Sequence, residues 1–220
     1  MSRRAFTEAT EFGIALALVG AFLFVVQDSA IKWLSSSLAI VQILFLRNLI
    51  AMGLLWSGAA ATGRPIVFKT NNPGLMLARS LIGVVGWYCF FAGLKYLPLA
   101  TVMALFFSFP IFLTALSVPI LGEKVGPRRW AAVLVGFCGV LVITRPGAAL
   151  EWPMLYVLGA SLSWALVAIL TRKLGKTEST GTMVFYALAS FVAIMAVPLY
   201  WIWAAPSTTE LVLISLAALV

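Results

Sequence analysis

Apolar and polar segments alternate along the chain in a pattern typical of membrane-spanning helices. A hydrocarbon core about 30 Å thick requires about 20 apolar residues per helix. Seven apolar stretches approach or exceed that length, and an eighth begins near Thr208. The predicted spans are Phe12–Trp33, Ala39–Ala60, Gly74–Leu94, Leu99–Leu121, Trp130–Thr144, Pro153–Leu170 and Met183–Trp203. None of them alternates apolar and polar residues with the period of a strand, so the pattern predicts an all-α integral membrane protein.

The composition leads to the same class. Hydrophobic residues make up 63% of the chain and charged residues 10%, and the mean hydropathy is +1.08. This leaves too little polar surface to cover a soluble globule. The first apolar stretch is too long for the core of a signal peptide and has no small-residue cleavage site after it, so we expect the first span to remain attached.

Basic residues are distributed unequally between the two sides of the predicted membrane. Alternate loops place eleven on one side: Arg3, Arg4, Arg64, Lys69, Arg79, Lys124, Arg128, Arg129, Arg172, Lys173 and Lys176. The other side carries Lys32, Lys95 and Arg145. Because positive charge near span ends marks the cytoplasmic face, the N terminus is predicted to be cytoplasmic. The net charge of +8 thus reflects topology, and we expect the lipid bilayer, not nucleic acid, as partner.

The residues needed for enzyme chemistry are scarce. The chain has no histidine and only seven acidic residues, so we expect no metal and no cofactor. Cys89 and Cys138 lie in apolar spans and are interpreted as core residues. No G-x-x-x-x-G-K-[ST] loop for ATP is present. An intramembrane aspartyl protease would need two buried aspartates, whereas Asp28 is alone, so the sequence predicts that the protein is not an enzyme.

A weak internal repeat links the first and sixth spans. A shift of 139 residues places Gly20-Ala21 on Gly159-Ala160, and Lys32 then lies next to the position of Arg172. Five spans separate the copies, so they cross the membrane in opposite directions. Inverted repeats of this kind are common in secondary transporters, whose binding site lies between the copies near the midplane.

An ordered series of motifs runs through the third to fifth spans. It consists of Gly93-Leu94-Lys95-Tyr96-Leu97-Pro98-Leu99-Ala100, Phe109-Pro110-Ile111-Phe112, Leu121-Gly122-Glu123-Lys124 and Gly136-x-x-Gly139-Val140-x-x-Ile143. This series resembles the EamA-type domain of the drug/metabolite transporter superfamily. The resemblance implies a ten-helix fold of two inverted five-helix repeats (5+5) that moves small metabolites across the bacterial inner membrane.

On that resemblance, residues 1–146 form the first repeat and residues 147–220 the start of the second. The 13 residues from Thr208 onward cover about 20 Å of helix, so the fold is expected to be truncated within helix eight. Gly136 and Gly139 give the fifth span a small-residue face for close helix contact, within the protein or in a homodimer.

Two charged residues lie inside the predicted membrane. Asp28 is about 9 Å and Arg47 about 13 Å from the outer ends of their spans, so their side chains can meet. Lys32, four residues after Asp28, is a competing partner. Such buried charges pair with one another, contact substrate or carry protons. All three interpretations remain open for Asp28, and the first two for Arg47.

Pro110 lies in the middle of the fourth span. It removes the backbone hydrogen bond to the carbonyl of Phe106 and kinks the helix. The freed carbonyl must find a partner in protein or water, and Ser108 is a nearby candidate. The kink is interpreted either as a hinge that lines the substrate path or as a static bend.

Aromatic side chains are dense in the third, fourth and sixth spans. Trp87, Phe91 and Leu94 share one helical face, and Phe106 and Phe109 share another, so rings could meet in a common cavity. Trp164 resembles a tryptophan of the aromatic amino-acid exporters in the family. The predicted substrate-path residues are therefore Asp28, Arg47, Trp87, Phe91, Ser108, Pro110 and Trp164.

The favoured function is a secondary transporter, an exporter by resemblance, of small organic metabolites such as amino acids, including aromatic ones. It would work by alternating access. The alternatives are a transporter of drugs, organic cations or nucleoside-like metabolites, and a non-transporting membrane scaffold or sensor. The scaffold alternative predicts a filled interior between spans one, three, four and six, where a transporter needs a cavity.

Overall fold

The computed structural model describes residues 3–63, 68–144 and 152–219, with side chains except at 3–17, 140, 143 and 144. This part of the chain is helical, without strands. Its nine helices are α1 (Arg3–Leu34), α2 (Ile40–Thr62), α3 (Pro73–Tyr96), α4 (Leu99–Phe106), α5 (Phe109–Leu121), α6 (Pro127–Thr144), α7 (Trp152–Leu174), α8 (Thr180–Ile202) and α9 (Thr208–Ala217).

Five helical segments of the described chain are long and apolar enough to cross a membrane. They are α2, α3, α7, α8 and the combined stretch Leu99–Leu121, which α4 and α5 share. The predicted first and fifth spans lie within α1 and α6, which are helical but are not among these five. The short apolar helix α9 begins at Thr208, where the eighth span was predicted.

The closest helix packing joins α3 to α7 through glycines of α3. A Cβ atom at Gly93 would lie 2.5 Å from Cγ2 of Val157, and one at Gly86 would lie 2.9 Å from Cβ of Ser163. Only glycine permits backbones to approach this closely, as in many membrane helix pairs. A Cβ atom at Gly136 or Gly139 would meet nothing within 4 Å, so α6 does not use its small-residue face within the described chain.

Hydrogen bonds tie the α1–α2 turn and the start of α2 to the α8–α9 loop and the start of α9, at the predicted outer face. The Gln42 amide donates to the carbonyl of Ala204 and accepts from its N–H at 3.1 Å. The Ser37 hydroxyl donates to Glu210, which also completes a capping box with Ser207 at the start of α9. We call these five residues the outer clasp.

A second set of hydrogen bonds joins the α2–α3 loop to the α7–α8 loop at the opposite face. The Asn71 N–H donates to a carboxylate oxygen of Glu178 at 2.7 Å, and its side-chain amide donates to the carbonyl of Thr177 at 3.2 Å. The Asn72 amide donates to the hydroxyl of Thr177 at 3.3 Å. These four residues form the inner clasp.

The structure groups many of the basic side chains at the inner-clasp end. Arg172 and Lys173 lie in the last turn of α7, and Arg172 pairs with Glu123 at 3.5 Å, which brings the basic α5–α6 loop to the same end. Lys32 and Lys95 lie in the last turns of α1 and α3, at the other end. Arg64 and Arg145 lie outside the described residues, as do the side chains of Arg3 and Arg4.

Candidate substrate cavity

A cavity of about 430 Å³ lies among α1, α3, α4, α5 and α7. These helices correspond to predicted spans one, three, four and six, between which a scaffold was expected to be filled. Most of the wall is aromatic. The lining residues are Ala21, Phe24, Val25, Asp28, Trp87, Phe90, Met103, Phe106, Phe107, Phe109 and Trp164.

Asp28 is the charged residue of this wall. It lies on α1 six residues before the end of the helix at Leu34, and its side chain is 5% exposed. The preceding residue, Gln27, is 2% exposed, and its amide interacts with the Asp28 carboxylate. Neither polar atom of this amide reaches the full geometry of a hydrogen bond with the described residues. A buried carboxylate beside an unsatisfied amide is costly unless a ligand or water completes its contacts.

The two cations nearest in sequence to Asp28 are engaged elsewhere. Lys32 donates from Nζ to the carbonyls of Leu94 and Leu97, both at 2.8 Å, and so satisfies the open C-terminal end of α3. Arg47 donates from Nε to the carbonyl of Ala217 at 3.2 Å. Among the described residues, the ion pair closer than 4.0 Å is Arg172 with Glu123. Lys32 and Arg47 therefore make no direct ion pair with Asp28, although the charge of Arg47 acts on Asp28 over a longer distance.

The rings around Trp87 form a continuous aromatic cluster. Trp87 stacks on Phe91 with centroids 5.2 Å apart and meets Trp164 edge-on, also at 5.2 Å. Phe106 contacts Phe90 at 5.2 Å and Trp164 at 6.5 Å. The guanidinium of Arg47 lies 4.9 Å above the Trp87 ring. Each such contact stabilises by about 0.5–1.5 kcal/mol, so the wall is held in a fixed geometry.

The fourth predicted span is broken where Pro110 predicted a kink. Helix α4 ends at Phe106 and α5 begins at Phe109, with Pro110 in its first turn. The freed carbonyl of Phe106 accepts a hydrogen bond from Ser161 of α7 at 3.1 Å. The hydroxyls of Ser161 and Ser108 lie 2.9 Å apart. A serine of the neighbouring helix therefore satisfies the break and anchors the backbone of Phe106, whose side chain lines the cavity.

The sequence matches the EamA-like transporter family over residues 11–145. The chain belongs to the EamA-like transporter family. The S-adenosylmethionine uptake transporter of Rickettsia prowazekii (strain Madrid E) is 30% identical over 206 residues, covering 92% of this chain and 69% of the relative. Family and relatives are transporters, not enzymes.

Two further relatives of this EamA-like protein are transporters with other named cargoes. The pseudopaline exporter CntI of Pseudomonas aeruginosa (strain UCBPP-PA14) is 27% identical over 86% of this chain and 66% of the relative. The riboflavin transporter of Vibrio cholerae serotype O1 is 31% identical over 84% of this chain and 62% of the relative. The chain spans about two thirds of the length of these relatives.

These matches identify a multi-pass membrane protein and a transporter of small molecules. They do not single out the aromatic amino-acid exporters, since the named cargoes are S-adenosylmethionine, pseudopaline and riboflavin. The resemblance to EamA-type transporters is therefore confirmed at the level of the family, and the amino-acid branch remains a prediction.

The structure brings only some of the predicted path residues of this EamA-like transporter into one cavity. Asp28, Trp87 and Trp164 line it. Arg47 and Phe91 lie on Trp87 without lining the wall. Ser108 is buried beside Ser161, and Pro110 lines a separate groove of about 330 Å³ between α5 and α6. The roles of all seven in transport remain predictions.

Sequence reasoning missed several residues that shape the site. Ser161 was missed, although the freed carbonyl of Phe106 required a donor, because no sequence pattern specifies which helix supplies it. Gln27 lies directly beside Asp28, and its polar character within an apolar span is a signal that could have identified it. Phe24 and Phe107 belong to the cavity wall only because of how α1 and α4 pack, which local periodicity does not determine.

Proposed function

We propose that this protein is a secondary transporter for small organic metabolites that carry a flat ring system and a positively charged group. The observation that supports this substrate class most strongly is the cavity wall. It presents seven aromatic side chains together with one carboxylate, that of Asp28. Flat rings pack between aromatic side chains, and cations bind over aromatic faces and beside carboxylates.

The sign of the charge in the cavity supports a cationic substrate over an anionic one. Arg47 lies over the Trp87 ring and interacts electrostatically with Asp28, but it is not a wall residue. Lys32 is occupied by the carbonyls of Leu94 and Leu97. A solute in the cavity therefore meets the carboxylate of Asp28 without a competing cation in the wall. S-adenosylmethionine, the named cargo of one relative, has an adenine ring and a sulfonium cation and fits this description.

We further propose two inverted five-helix repeats that rock about this cavity. The helix packing supports the proposal, because α3 packs on α7 and α1 packs on α9. In the proposed repeat, α1, α2 and α3 correspond to α7, α8 and α9. Exchanging corresponding helices converts the α3–α7 pair into the α9–α1 pair and leaves the α2–α8 pair unchanged. An inverted repeat requires this symmetry of contacts.

The two clasps support the same relationship. The residue 139 positions after Asn71 of the inner clasp is Glu210 of the outer clasp. The position 139 residues after Ser37 is Lys176, which precedes Thr177 of the inner clasp. Loops that correspond in the two repeats therefore form one clasp at each face of the membrane. In alternating access one clasp would open while the other stays closed, with the N terminus in the cytoplasm and the protein in the inner membrane.

Aromatic amino acids are the second candidate substrate. They combine a ring with an ammonium group, which the same rings and Asp28 can bind. The edge-on contact of Trp87 with Trp164 favours this candidate, since an indole or phenol ring can join such an array. Like S-adenosylmethionine, an amino acid also carries a carboxylate, which would need a cationic group beyond the wall.

Equilibrium binding to the purified chain in nanodiscs tests the substrate class. The ligands are radiolabelled S-adenosylmethionine, L-tryptophan and L-alanine, and the last is the control without a ring. We expect S-adenosylmethionine to bind most tightly and alanine not to bind. Asp28→Asn should weaken S-adenosylmethionine about tenfold or more, because opposite charges about 4 Å apart near a protein surface attract each other by about 4 kcal/mol.

Glu123→Gln is the matched control for this variant. It removes an equal charge from a surface ion pair with Arg172 and should leave binding unchanged, since exposed pairs contribute about 0–1 kcal/mol. Equal binding of S-adenosylmethionine by the wild type and Asp28→Asn would contradict the proposed role of Asp28. Tight binding of tryptophan alone would favour the amino-acid candidate.

A further inference from the structure

A second, smaller cavity lies beside the aromatic one, toward the inner clasp. Its volume is about 90 Å³, and Arg79, Ser80 and Ser163 supply its polar groups. Gly83 and Gly86 of α3 keep it open, and Val167, Ala187 and Phe191 complete its apolar side. Trp87 and Trp164 line both cavities, so the two cavities adjoin at this tryptophan pair.

The polar groups of the small cavity are incompletely satisfied. Ser80 is 1% exposed, and its hydroxyl has no hydrogen-bond partner among the described residues. Buried hydroxyls are normally hydrogen-bonded, and each exception calls for a missing partner. In a cavity of this size the partner can be several water molecules or one small polar group of a ligand.

Arg79 gives the cavity its positive charge. Its Nε donates to the hydroxyl of Thr171 at 2.8 Å, and Nη1 donates to the carbonyl of Met183 at 3.2 Å. These are neutral acceptors for a group with five N–H donors. The ion pair found among the described residues, Arg172 with Glu123, does not involve Arg79. Arg79 lies near the start of α3, toward the predicted cytoplasmic face, and an arginine there that lacks a carboxylate partner is a candidate for binding an anionic ligand group.

We propose that Arg79 and Ser80 form a second substrate subsite, which binds a carboxylate of the same solute whose ring occupies the aromatic cavity. This inference rests on the proposed function and extends it. Ser80 lies seven residues from Trp87 on α3, about 10 Å along the helix. The favoured solute therefore carries a carboxylate about that far from its ring, with the positive charge placed toward Asp28.

The subsite has its own test, independent of the aromatic cavity. Acetate serves as the probe, and the measurement is the Tm of the purified chain in acetate against chloride at equal ionic strength. We expect acetate to raise the Tm of the wild type, because a ligand that binds the folded state stabilises it. Ser80→Ala should weaken the apparent affinity for acetate about tenfold.

Ser80→Ala is the decisive variant, since it removes a hydroxyl that makes no internal hydrogen bond, and we expect its Tm in chloride to equal or exceed that of the wild type. Arg79→Gln should abolish the acetate effect but also loses the contacts with Thr171 and Met183. Ser57→Ala, on an exposed face of α2, is the matched control and should behave as the wild type.

A pair of ligands connects the subsite to transport. S-adenosylmethionine and its decarboxylated form share the ring and the cation and differ in the carboxylate. We expect the wild type to prefer the carboxylate-bearing member about tenfold, and both Arg79→Gln and Ser80→Ala to reduce that preference. Asp28→Asn should weaken both ligands equally and leave the acetate effect intact.

The outcomes separate the two proposals. An acetate effect without S-adenosylmethionine binding would retain the subsite and reject the substrate class of the aromatic cavity. Binding of both ligands with equal affinity would retain the cavity and overturn the subsite. The subsite is also overturned if acetate stabilises the wild type no more than chloride does, or stabilises Ser80→Ala equally.

Discussion

Ser161→Ala tests the account of the break between α4 and α5. Ser161 is 0% exposed, and its hydroxyl contacts both the Phe106 carbonyl at 3.1 Å and the Ser108 hydroxyl at 2.9 Å. The substitution leaves the Phe106 carbonyl without a donor, because Pro110 has no N–H to offer. Ser108 loses its partner as well. The variant therefore isolates the effect of one interhelical hydroxyl.

Two general estimates set the expected loss of stability in Ser161→Ala. A buried acceptor left without a donor costs about 1–3 kcal/mol. Interhelical hydrogen bonds in membrane proteins contribute about 0.6 kcal/mol on average and about 1.7 kcal/mol at most. Since Ser161→Ala affects two such groups, we expect the free energy of unfolding to fall by about 1–2 kcal/mol. Ser215→Ala, which removes an exposed bond to its own helix, should change it by about 0.5 kcal/mol or less.

The assay is reversible unfolding in mixed micelles, followed by circular dichroism, for a double-mutant cycle with Pro110→Ala. Alanine at position 110 supplies an N–H four residues after Phe106, which can take over its carbonyl. The cost of Ser161→Ala should then fall by about 0.5 kcal/mol or more. An equal cost with and without Pro110 would refute the view that the serine compensates for the proline.

Two other predictions concern the packing and the outer clasp. Gly93→Ala should reduce the free energy of unfolding by about 1–3 kcal/mol, because its Cβ atom would lie 2.5 Å from Val157. Gly53→Ala is the control and should not reduce it, because its Cβ atom would meet nothing within 4 Å. Equal losses of stability in thermal unfolding would contradict the close contact. Gln42→Ala should speed hydrogen exchange at the amide of Ala204 about two- to tenfold, because that N–H donates to the Gln42 side chain; an unchanged rate would show that the clasp does not hold this loop.

Hydropathy predicted much of the helical framework, because span length and apolarity are local properties of the sequence. The kink at Pro110 was also predictable, since a missing N–H at one position leaves one known carbonyl free. The structure adds the donor from Ser161, which depends on how α7 packs against α4 and α5. That arrangement is a long-range property that the spacing along one helix does not contain.

The charged residues show a different limit of sequence reasoning. Depth along each span allowed Asp28 to meet Arg47 or Lys32. In the structure Lys32 instead satisfies the end of α3. Arg47 lies on Trp87 and binds the carbonyl of Ala217, and it interacts with Asp28 electrostatically without a direct ion pair. The depth of a residue in its span gives its position along the helix axis, whereas the partner of its side chain also depends on how the helix is rotated about that axis. The same applies to close helix contact within the chain, which is made at Gly93 and not at Gly136 or Gly139. Contact of those two glycines in a homodimer stays a prediction.

Uptake into proteoliposomes tests the central claim most directly. The purified chain would be reconstituted as wild type, Asp28→Asn and Glu123→Gln, and entry of radiolabelled S-adenosylmethionine would be measured against concentration. The account predicts saturable uptake by the wild type and by Glu123→Gln, and a loss of about tenfold or more in Asp28→Asn. Absence of saturable uptake by folded wild-type protein, or equal uptake by Asp28→Asn, would contradict it.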